Sequence, residues 1–333
     1  MKHMNLEYLN GKSILVTGGT GSLGQRLVRT LIEKSQARRI IVFSRDELKQ
    51  SQMQTAFKGM DSNLRFFLGD VRDLPRLQLA FRDVDFVIHT AALKQVPALE
   101  YNPFEAIQTN IIGTQNVITA AINNGVEKVL LISTDKAANP ANLYGATKLC
   151  AERLCISANV YSNNKTLFSA VRYGNVLGSR GSLLKLVEDQ RKTGVVLLTH
   201  EDMTRFWITL DQGVELVMNS MECMNGGEIF IPKIPSMRVK DLLTSLAPEC
   251  ELKIIGIRPG EKLHEVLITP EESHHAVELE STYVIYPEFS FDQQAKERVG
   301  GRMLESGFSF CSDTNPNWLD DAGLKELLAL IRS

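Results

Sequence analysis

Three tyrosines in this chain are followed four residues later by a lysine: Tyr8/Lys12, Tyr144/Lys148 and Tyr161/Lys165. Residues at i and i+4 share one helical face, so the ammonium can act on the acidity of the phenol. The spacing alone is a weak signal, since seven tyrosines in a chain of this lysine content produce such pairs by chance. Position separates the three. Tyr8/Lys12 precedes the first strand-like run, where no cleft can form, and Tyr161/Lys165 is interrupted by Ser162-Asn163-Asn164, a loop signal. Tyr144/Lys148 lies in a helix-compatible stretch soon after an apolar run that ends in Ser133-Thr134-Asp135-Lys136. Thr134, Asp135, Lys136, Tyr144 and Lys148 therefore form the candidate reactive set. Tyr144 can take a proton from a substrate hydroxyl. Lys136, beside other positive charge, is expected to have a lowered pKa and to act as a base. Asp135 can serve as the acid if it keeps its proton, a division of labour between two titratable neighbours. The plainer alternative is a solvated ion pair on a loop.

Thr17-Gly18-Gly19-Thr20-Gly21-Ser22-Leu23-Gly24 follows one apolar run and opens a helix-like one. Gly18 permits a tight turn, Gly21 lets a pyrophosphate approach the backbone, and Gly24 lets helix and strand pack closely. The helix N-terminus then faces the anion. The cofactor's ribose is read about 20 residues further on, where an acidic residue would bond a 2′-hydroxyl. Here the run ends in Ser44-Arg45, a hydroxyl and a guanidinium suited to a 2′-phosphate, so NADP is expected. Asp46 pulls the other way. Asp70-Val71, at the end of the third run, either borders an adenine or caps the helix that begins at Asp73. An oxidised nicotinamide and Lys148 are both positive, which would favour a tyrosinate at Tyr144 while a substrate carbon gives up hydride.

The elements that must place these residues are legible as a rhythm. Short β-branched runs at 13–17, 39–43, 64–68, 85–89, 128–133 and 167–172 do not alternate in polarity, as suits strands buried on both faces. Stretches 22–34, 45–58, 103–124 and 142–160 can hold crossover helices. The pattern predicts an α/β fold, a doubly wound parallel sheet of the Rossmann type. From about 174 it loosens. Strands near 195–199, 228–232 and 251–255, with helices near 211–223 and 238–246, predict a smaller C-terminal α/β lobe. The expected organisation is 11–173 for dinucleotide binding and catalysis, 174–290 mostly for substrate, and 291–333 as an extension. The charged, glycine-containing stretch 290–303 reads as an exposed connection.

With 333 residues, a formal charge of −2 and 44% hydrophobic residues, the chain suits a soluble globular protein. Near-balanced charge gives no broad basic field for nucleic acid. No run of 18 apolar residues suggests a membrane span, and the N-terminus lacks the apolar segment of a signal peptide. Cys150, Cys155, Cys223, Cys250 and Cys311 are odd in number and contain no CxxC, as expected for free thiols in a reducing cytoplasm. No metal site is assigned.

Further segments complete a pattern: Gly69-Asp70-Val71-Arg72-Asp73, Ala91-Ala92-Leu93-Lys94, Tyr144-Gly145-Ala146-Thr147-Lys148, Arg172-Tyr173-Gly174-Asn175-Val176, Met203-Thr204-Arg205-Phe206-Trp207, and Arg258-Pro259-Gly260-Glu261-Lys262-Leu263-His264-Glu265. Together with the glycine loop and Ser44-Arg45-Asp46-Glu47, they resemble the extended short-chain dehydrogenase/reductase family. Within it, they resemble the inverting UDP-N-acetylglucosamine 4,6-dehydratases of pseudaminic acid biosynthesis, over about residues 11 to 290. The resemblance implies oxidation at C4 with Tyr144, removal of the C5 proton by Lys136, and protonation of the departing C6 hydroxyl by Asp135. Hydride then returns to C6 and C5 is reprotonated from the other face. Retaining relatives place a glutamate where this chain has Lys136. The resemblance also assigns Gly18, Thr20, Gly21, Ser22, Leu23, Gly24, Ser44, Arg45, Asp46, Lys49, Asp70, Val71, Ala91, Lys94, Val176 and Arg180 to the cofactor. It assigns Lys94, Asn175, Thr199, Arg205, Arg258 and Glu261 to the substrate, with Thr199, Arg258 and Glu261 on its nucleotide part. Two segments depart from the pattern: Leu183-Leu184-Lys185-Leu186, where a Val-Val-Pro-Phe type is usual, and Thr199-His200-Glu201-Asp202. A homo-oligomer is expected by resemblance.

Three other readings use parts of the same site. A UDP-sugar 4-epimerase needs Tyr144/Lys148 but no Asp135/Lys136. A retaining 4,6-dehydratase needs a different base. A catalytically silent NADP-sensing module needs only the glycine loop.

Overall fold

The computed structural model describes residues 4–60, 63–179, 183–288 and 301–332. The six apolar runs become strands β1 (Ser13–Thr17), β2 (Arg39–Ser44), β3 (Leu64–Leu68), β4 (Phe86–His89), β5 (Lys128–Ile132) and β6 (Leu167–Val171). All six pair in parallel, in the order β3-β2-β1-β4-β5-β6. β1 and β4 are buried along their whole length, as two-sided cover requires, whereas β3 forms the sheet edge and is half-exposed. The crossovers are α1 (Ser22–Lys34), α2 (Glu47–Ala56) and α3 (Leu74–Ala80), then α4 (Val96–Tyr101), α5 (Pro103–Ala106) and α6 (Gly113–Asn123), and finally α7 (Leu143–Tyr161). Side chains stop the orphan amides at several starts: Asp46 accepts from Lys49, Asp73 from Arg76 and Asn142 from Gly145. Asp73 is thus the cap of α3, and the Asp70 carboxylate bonds Arg72 instead.

The stretch 103–124 is not one regular helix. Between α5 and α6, residues Ile107–Ile112 widen into a π-helical segment, of the kind often found at functional sites. It presents Asn110, whose side chain bonds both Leu93 N and Leu93 O and also Thr147 Oγ1. One amide thereby ties the segment carrying Lys94 to α7.

The rest of the chain is β7 (Asn175–Val176), α8 (Leu183–Arg191), β8 (Val195–Leu198), β9 (Thr204–Ile208), α9 (Leu210–Cys223), β10 (Ile229–Pro232), β11 (Ser236–Arg238), α10 (Val239–Leu246) and β12 (Glu251–Ile254). It ends with β13 (Val266–Ile268), β14 (Ala276–Glu278), β15 (Thr282–Ile285), β16 (Arg302–Met303), β17 (Phe310–Cys311) and α11 (Asp321–Arg332). Here the structure departs from the expected partition. β10 joins the main sheet in parallel beside β6, and β15, β14 and β16 extend it antiparallel to ten strands. The strand near 228–232 therefore belongs to the sheet and not to the covering lobe. Its four residues are all buried, a pattern shared by any central strand, so composition could not place it. Residues 302 and 303, expected in an exposed connection, pair with β14, while 289–300 lie outside the described residues.

A second, smaller core around Leu177, Val187, Val196, Trp207 and Leu242 marks the covering lobe, and α11 contributes buried Leu324 and Leu327 to it. Arg172, fully buried just past the end of β6, ties α7 to the segment around β13. Its guanidinium grips Glu152 of α7 at 2.6 and 3.1 Å, Glu272 at 2.9 Å and the Leu267 carbonyl of β13 at 2.9 Å. A buried guanidinium with both forks on carboxylates meets the desolvation cost that would otherwise make it destabilising.

Candidate active site

A cavity of about 570 Å³ opens at the carboxyl ends of β1, β4, β5 and β6. Ligands of open α/β sheets bind at this edge. A second cavity of about 230 Å³ adjoins it across Gly18, Thr20, Lys49 and Ala91. The glycine loop forms the floor between them. Gly18 has φ +64°, and a side chain there would meet the Ala91 backbone at 2.8 Å. Gly21, Ser22, Leu23 and Gly24 line the larger cavity with Thr20, where the start of α1 faces inward. Ser44, Arg45, Asp46, Asp70 and Val71 line the smaller one with Lys49. Thr20 Oγ1 and Ser44 Oγ are 2.8 Å apart. Asp70 is partly buried, but bonds from Arg72 and the charge of Arg45 hold its carboxyl below its ordinary range. The bare backbone cradle at Gly18–Gly24 fits a dinucleotide, and Arg45 and Lys49 line the adjoining cavity. Among the described residues, no group of His, Cys, Asp or Glu is arranged to hold a metal ion.

Thr134, Lys136, Tyr144 and Lys148 all line the larger cavity, with Lys94, Asn175 and Val176. Asp135 stands directly behind them, fully buried. β5 ends one residue before Ser133, and Thr134 caps a single 3-10 turn, Asp135–Ala137. Thr134 Oγ1 donates to Asp135 Oδ1 at 2.8 Å, and Lys136 Nζ donates to the same oxygen at 3.0 Å. α7 approaches this turn so closely that a methyl on Gly145 would lie 2.2 Å from the Lys136 carbonyl oxygen. The glycine between Tyr144 and Lys148 is what lets the two segments meet.

The two lysines differ electrically. Lys148 Nζ donates to the Ile132 carbonyl at 2.7 Å, and burial lowers its pKa to about 8 against the weaker pull of Glu152. Lys136 is also desolvated, but the carboxylates of Asp135 and Glu265 outweigh that and raise its pKa. This overturns the expected depression. Sequence reasoning counted the nearby positive charges and missed Glu265, whose Oε1 lies 3.3 Å from Lys136 Nζ. Tyr144 is likewise pushed up to about 12, by burial and by Asp135, against the opposing charge of Lys136 and a hydrogen bond with Thr134. Lys136 and Thr134 thus favour the expected tyrosinate, but burial outweighs them. The loop-pair alternative for Asp135/Lys136 also fails, since the Asp135 side chain is 1% exposed.

The residues assigned to the substrate's nucleotide part do not line this cavity. Arg258 is exposed and lies 3.8 Å from Glu261. Their loop is anchored where Asn142 donates to the Gly260 carbonyl at 2.8 Å and Lys262 to that of Ala138 at 2.8 Å. Thr199 donates to Met203 Sδ. Arg205 does not line either cavity: it is buried, and its guanidinium donates to the carbonyls of Thr204, Lys262 and Leu263, bracing the wall. Arg180 lies outside the described residues. Both departing segments sit nearby. Leu183, which starts α8, lines the cavity, while Glu201 is held by Lys240 at 3.0 Å on the outside. Sequence reasoning passed over Asn110, Trp207, Lys262 and Glu265. Glu265 ends a motif already singled out, and its neighbours only become visible in three dimensions.

Residues 14–287 match the family of polysaccharide biosynthesis proteins. Over 97% of this chain and 98% of its own length, the inverting UDP-N-acetylglucosamine 4,6-dehydratase of Campylobacter jejuni (strain 81-176) is 51% identical. The chain belongs to this family, within the extended short-chain dehydrogenase/reductases. A UDP-glucose 4-epimerase of Rickettsia rickettsii is 39% identical over 95% of both chains. Among solved structures, Pen from Bacillus thuringiensis superimposes with a TM-score of 0.90 at 37% identity, covering 98% of this chain and 99% of that one. The family match contains every residue that lines the two cavities. No helix among the described residues is long and apolar enough to cross a membrane.

Proposed function

We propose that this protein is an NADP-dependent UDP-N-acetylglucosamine 4,6-dehydratase that inverts C5 and supplies the L-arabino 4-keto sugar used for pseudaminic acid. One observation carries the reading: Lys136, paired with the buried Asp135 at 3.0 Å, shares a cavity wall with Tyr144 and Lys148. A 4-epimerase, the activity named for the Rickettsia relative, needs a redox tyrosine and no acid–base pair beside C5 and C6. The 51% identity to an enzyme named as the inverting dehydratase supports the same choice.

When bound, the nicotinamide supplies a hydride acceptor for C4, a hydride donor for C6 and a positive charge beside Tyr144. Gly18 to Gly24 would hold its pyrophosphate, and Arg45 with Lys49 its 2′-phosphate. Tyr144 takes the C4 hydroxyl proton. The ketone formed acidifies the C5 hydrogen, which Lys136 removes in its neutral form. Asp135 protonates the C6 oxygen as it leaves, and C5 is then reprotonated from the opposite face. Lys94 and Asn175 line the same cavity and hold the sugar.

The test is NMR of the early product from UDP-N-acetylglucosamine in D2O. Deuterium at C5, undiluted transfer of the substrate's C4 hydrogen to C6 and the L-arabino configuration are expected. A first product of D-xylo configuration would make the enzyme a retaining dehydratase, and a C4 epimer alone would make it an epimerase.

A further inference from the structure

Glu265 is 2% exposed, yet its carboxylate has no surface partner and faces three cations. Oε1 lies 3.3 Å from Lys136 Nζ and 3.8 Å from Arg205 Nε, and Oε2 lies 3.4 Å from Lys262 Nζ without a hydrogen-bond partner. Its backbone is fixed from both sides by one residue of the C-terminal segment. Glu265 N donates to Ser312 Oγ, and Ser312 N donates to the Glu265 carbonyl, both at 2.9 Å. Ser312 Oγ in turn meets Thr204 Oγ1 at 2.6 Å. A carboxylate so placed is expensive to bury unless its charge is used.

We propose that Glu265 is a positioning residue for the acid–base pair: it holds the Lys136 ammonium against Asp135, so that the base is unmasked by proton passage to Asp135 and not by loss of a proton to solvent. This rests on the reading of Lys136 as the C5 base. At rest the pair is ammonium and carboxylate. One proton passes from Lys136 Nζ to Asp135, leaving an amine and a carboxylic acid. The amine takes the C5 proton, the electrons of that C–H bond form the C5–C6 double bond, and the C6–O bond breaks. The departing oxygen takes the proton of Asp135 and leaves as water, which restores ammonium and carboxylate. The pair must therefore hold one proton to be active.

The charged and titratable groups facing Lys136 come from five elements. They are Asp135 on its own turn, Tyr144 on α7, Arg205 on β9, Glu265 before β13, and Lys94 after β4. Asn175 Oδ1, the remaining neighbour at 3.4 Å, is neutral. Without the charge of Glu265, only Asp135 is left to hold the ammonium against burial and Arg205, and Lys136 loses its proton to solvent at lower pH.

The experiment measures pH profiles of kcat and KM for the full-length enzyme with NADP and UDP-N-acetylglucosamine, in Glu265→Gln, Glu265→Asp and Lys136→Ala. In Glu265→Gln, kcat should fall at least tenfold with KM within twofold. Its alkaline limb should move down by about one pH unit or more, since a unit charge this close is worth well over 1.4 kcal/mol even when partly screened. Glu265→Asp keeps the charge, so the limb should stay and part of kcat return. Wild-type kcat and an unmoved limb in Glu265→Gln, with Lys136→Ala inactive, would overturn the role of Glu265 alone. An active Lys136→Ala would overturn the underlying reading instead. Should Glu265→Gln not fold, Glu265→Asp decides: a lowered kcat at constant KM and NADP affinity supports the role, and wild-type kcat refutes it.

Discussion

The two walls of the cavity are built in different ways. The β5–α7 wall is local: Lys148 reaches back to the last residue of β5, and burial alone dominates its charge state. The wall around Lys136 is assembled from distant segments, with Asp135 after β5, Asn175 on β7 and Glu265 before β13. The same residue type therefore has its pKa lowered in one wall and raised in the other, 12 residues apart in sequence. The lesson is that spacing places a side chain, whereas its charge depends on what the rest of the chain brings beside it.

The most severe break of this contrast is Lys136→Ala. Removing a general base costs 10²- to 10⁴-fold, and dehydration should fall by about 10³-fold while NADP binding is kept. Product formation at the wild-type rate, followed by NMR, would show that the distant wall does no chemistry.

Gly145→Ala probes the seam between the walls. Alanine is the better helix former by about 1 kcal/mol. Here its methyl would lie 2.2 Å from the Lys136 carbonyl, so the turn must move. A misplacement of this size should lower kcat about 100-fold with the thermal midpoint little changed. Full activity would mean that the seam tolerates displacement.

Lys148→Met sharpens the electrostatic half of the comparison. Lys148 titrates near 8 when folded against 10.5 ordinarily. Below about 8 it is charged in both states and its burial penalty is fully present. Between 8 and 10.5 the unfolded chain binds a proton that the folded chain does not, so stability rises with pH. The wild type should gain on the variant by roughly 3 kcal/mol across that window in urea titrations. A pH-independent difference would mean that Lys148 is not depressed.

The smallest expected effect lies away from both walls, at the second cavity. Arg45→Ala should cost about tenfold in NADP affinity and little in NAD affinity, since a charged hydrogen bond is worth about 1.5–3 kcal/mol. Equal losses by calorimetry would give Arg45 a structural role.

Much of the local wall was legible beforehand. α1 spans 22–34 as its pattern implied, β1 and β3 match their apolar runs, and Tyr144/Lys148 was separated from its two competitors by position alone. Tyr144 and Lys148 both line the larger cavity, whereas Tyr8 donates to the Met218 carbonyl at 2.8 Å and Tyr161 ends α7. Elements with no local signature were lost. β10 was expected as a strand, but nothing local assigned it to the main sheet, and β9, fully buried, was not recognised. Arg205 was assigned to the substrate through the family motif alone, and in the fold it satisfies carbonyls of its own wall.

The amino-acid sequence by itself determined the glycine cradle, the parallel strand–helix alternation and the side chains available for chemistry. These depend on hydrophobic period and on backbone freedom, which are properties of neighbouring residues. Only the tertiary structure decided that β10, β14 and β15 return to the main sheet, that Arg172 locks Glu152 to Glu272, and that Glu265 meets Lys136. Charge interactions act through space and fall off within ångströms of contact, so a partner far along the chain leaves no periodic trace. The charge state of Lys136 is therefore written in the fold's long-range contacts and not in its motif.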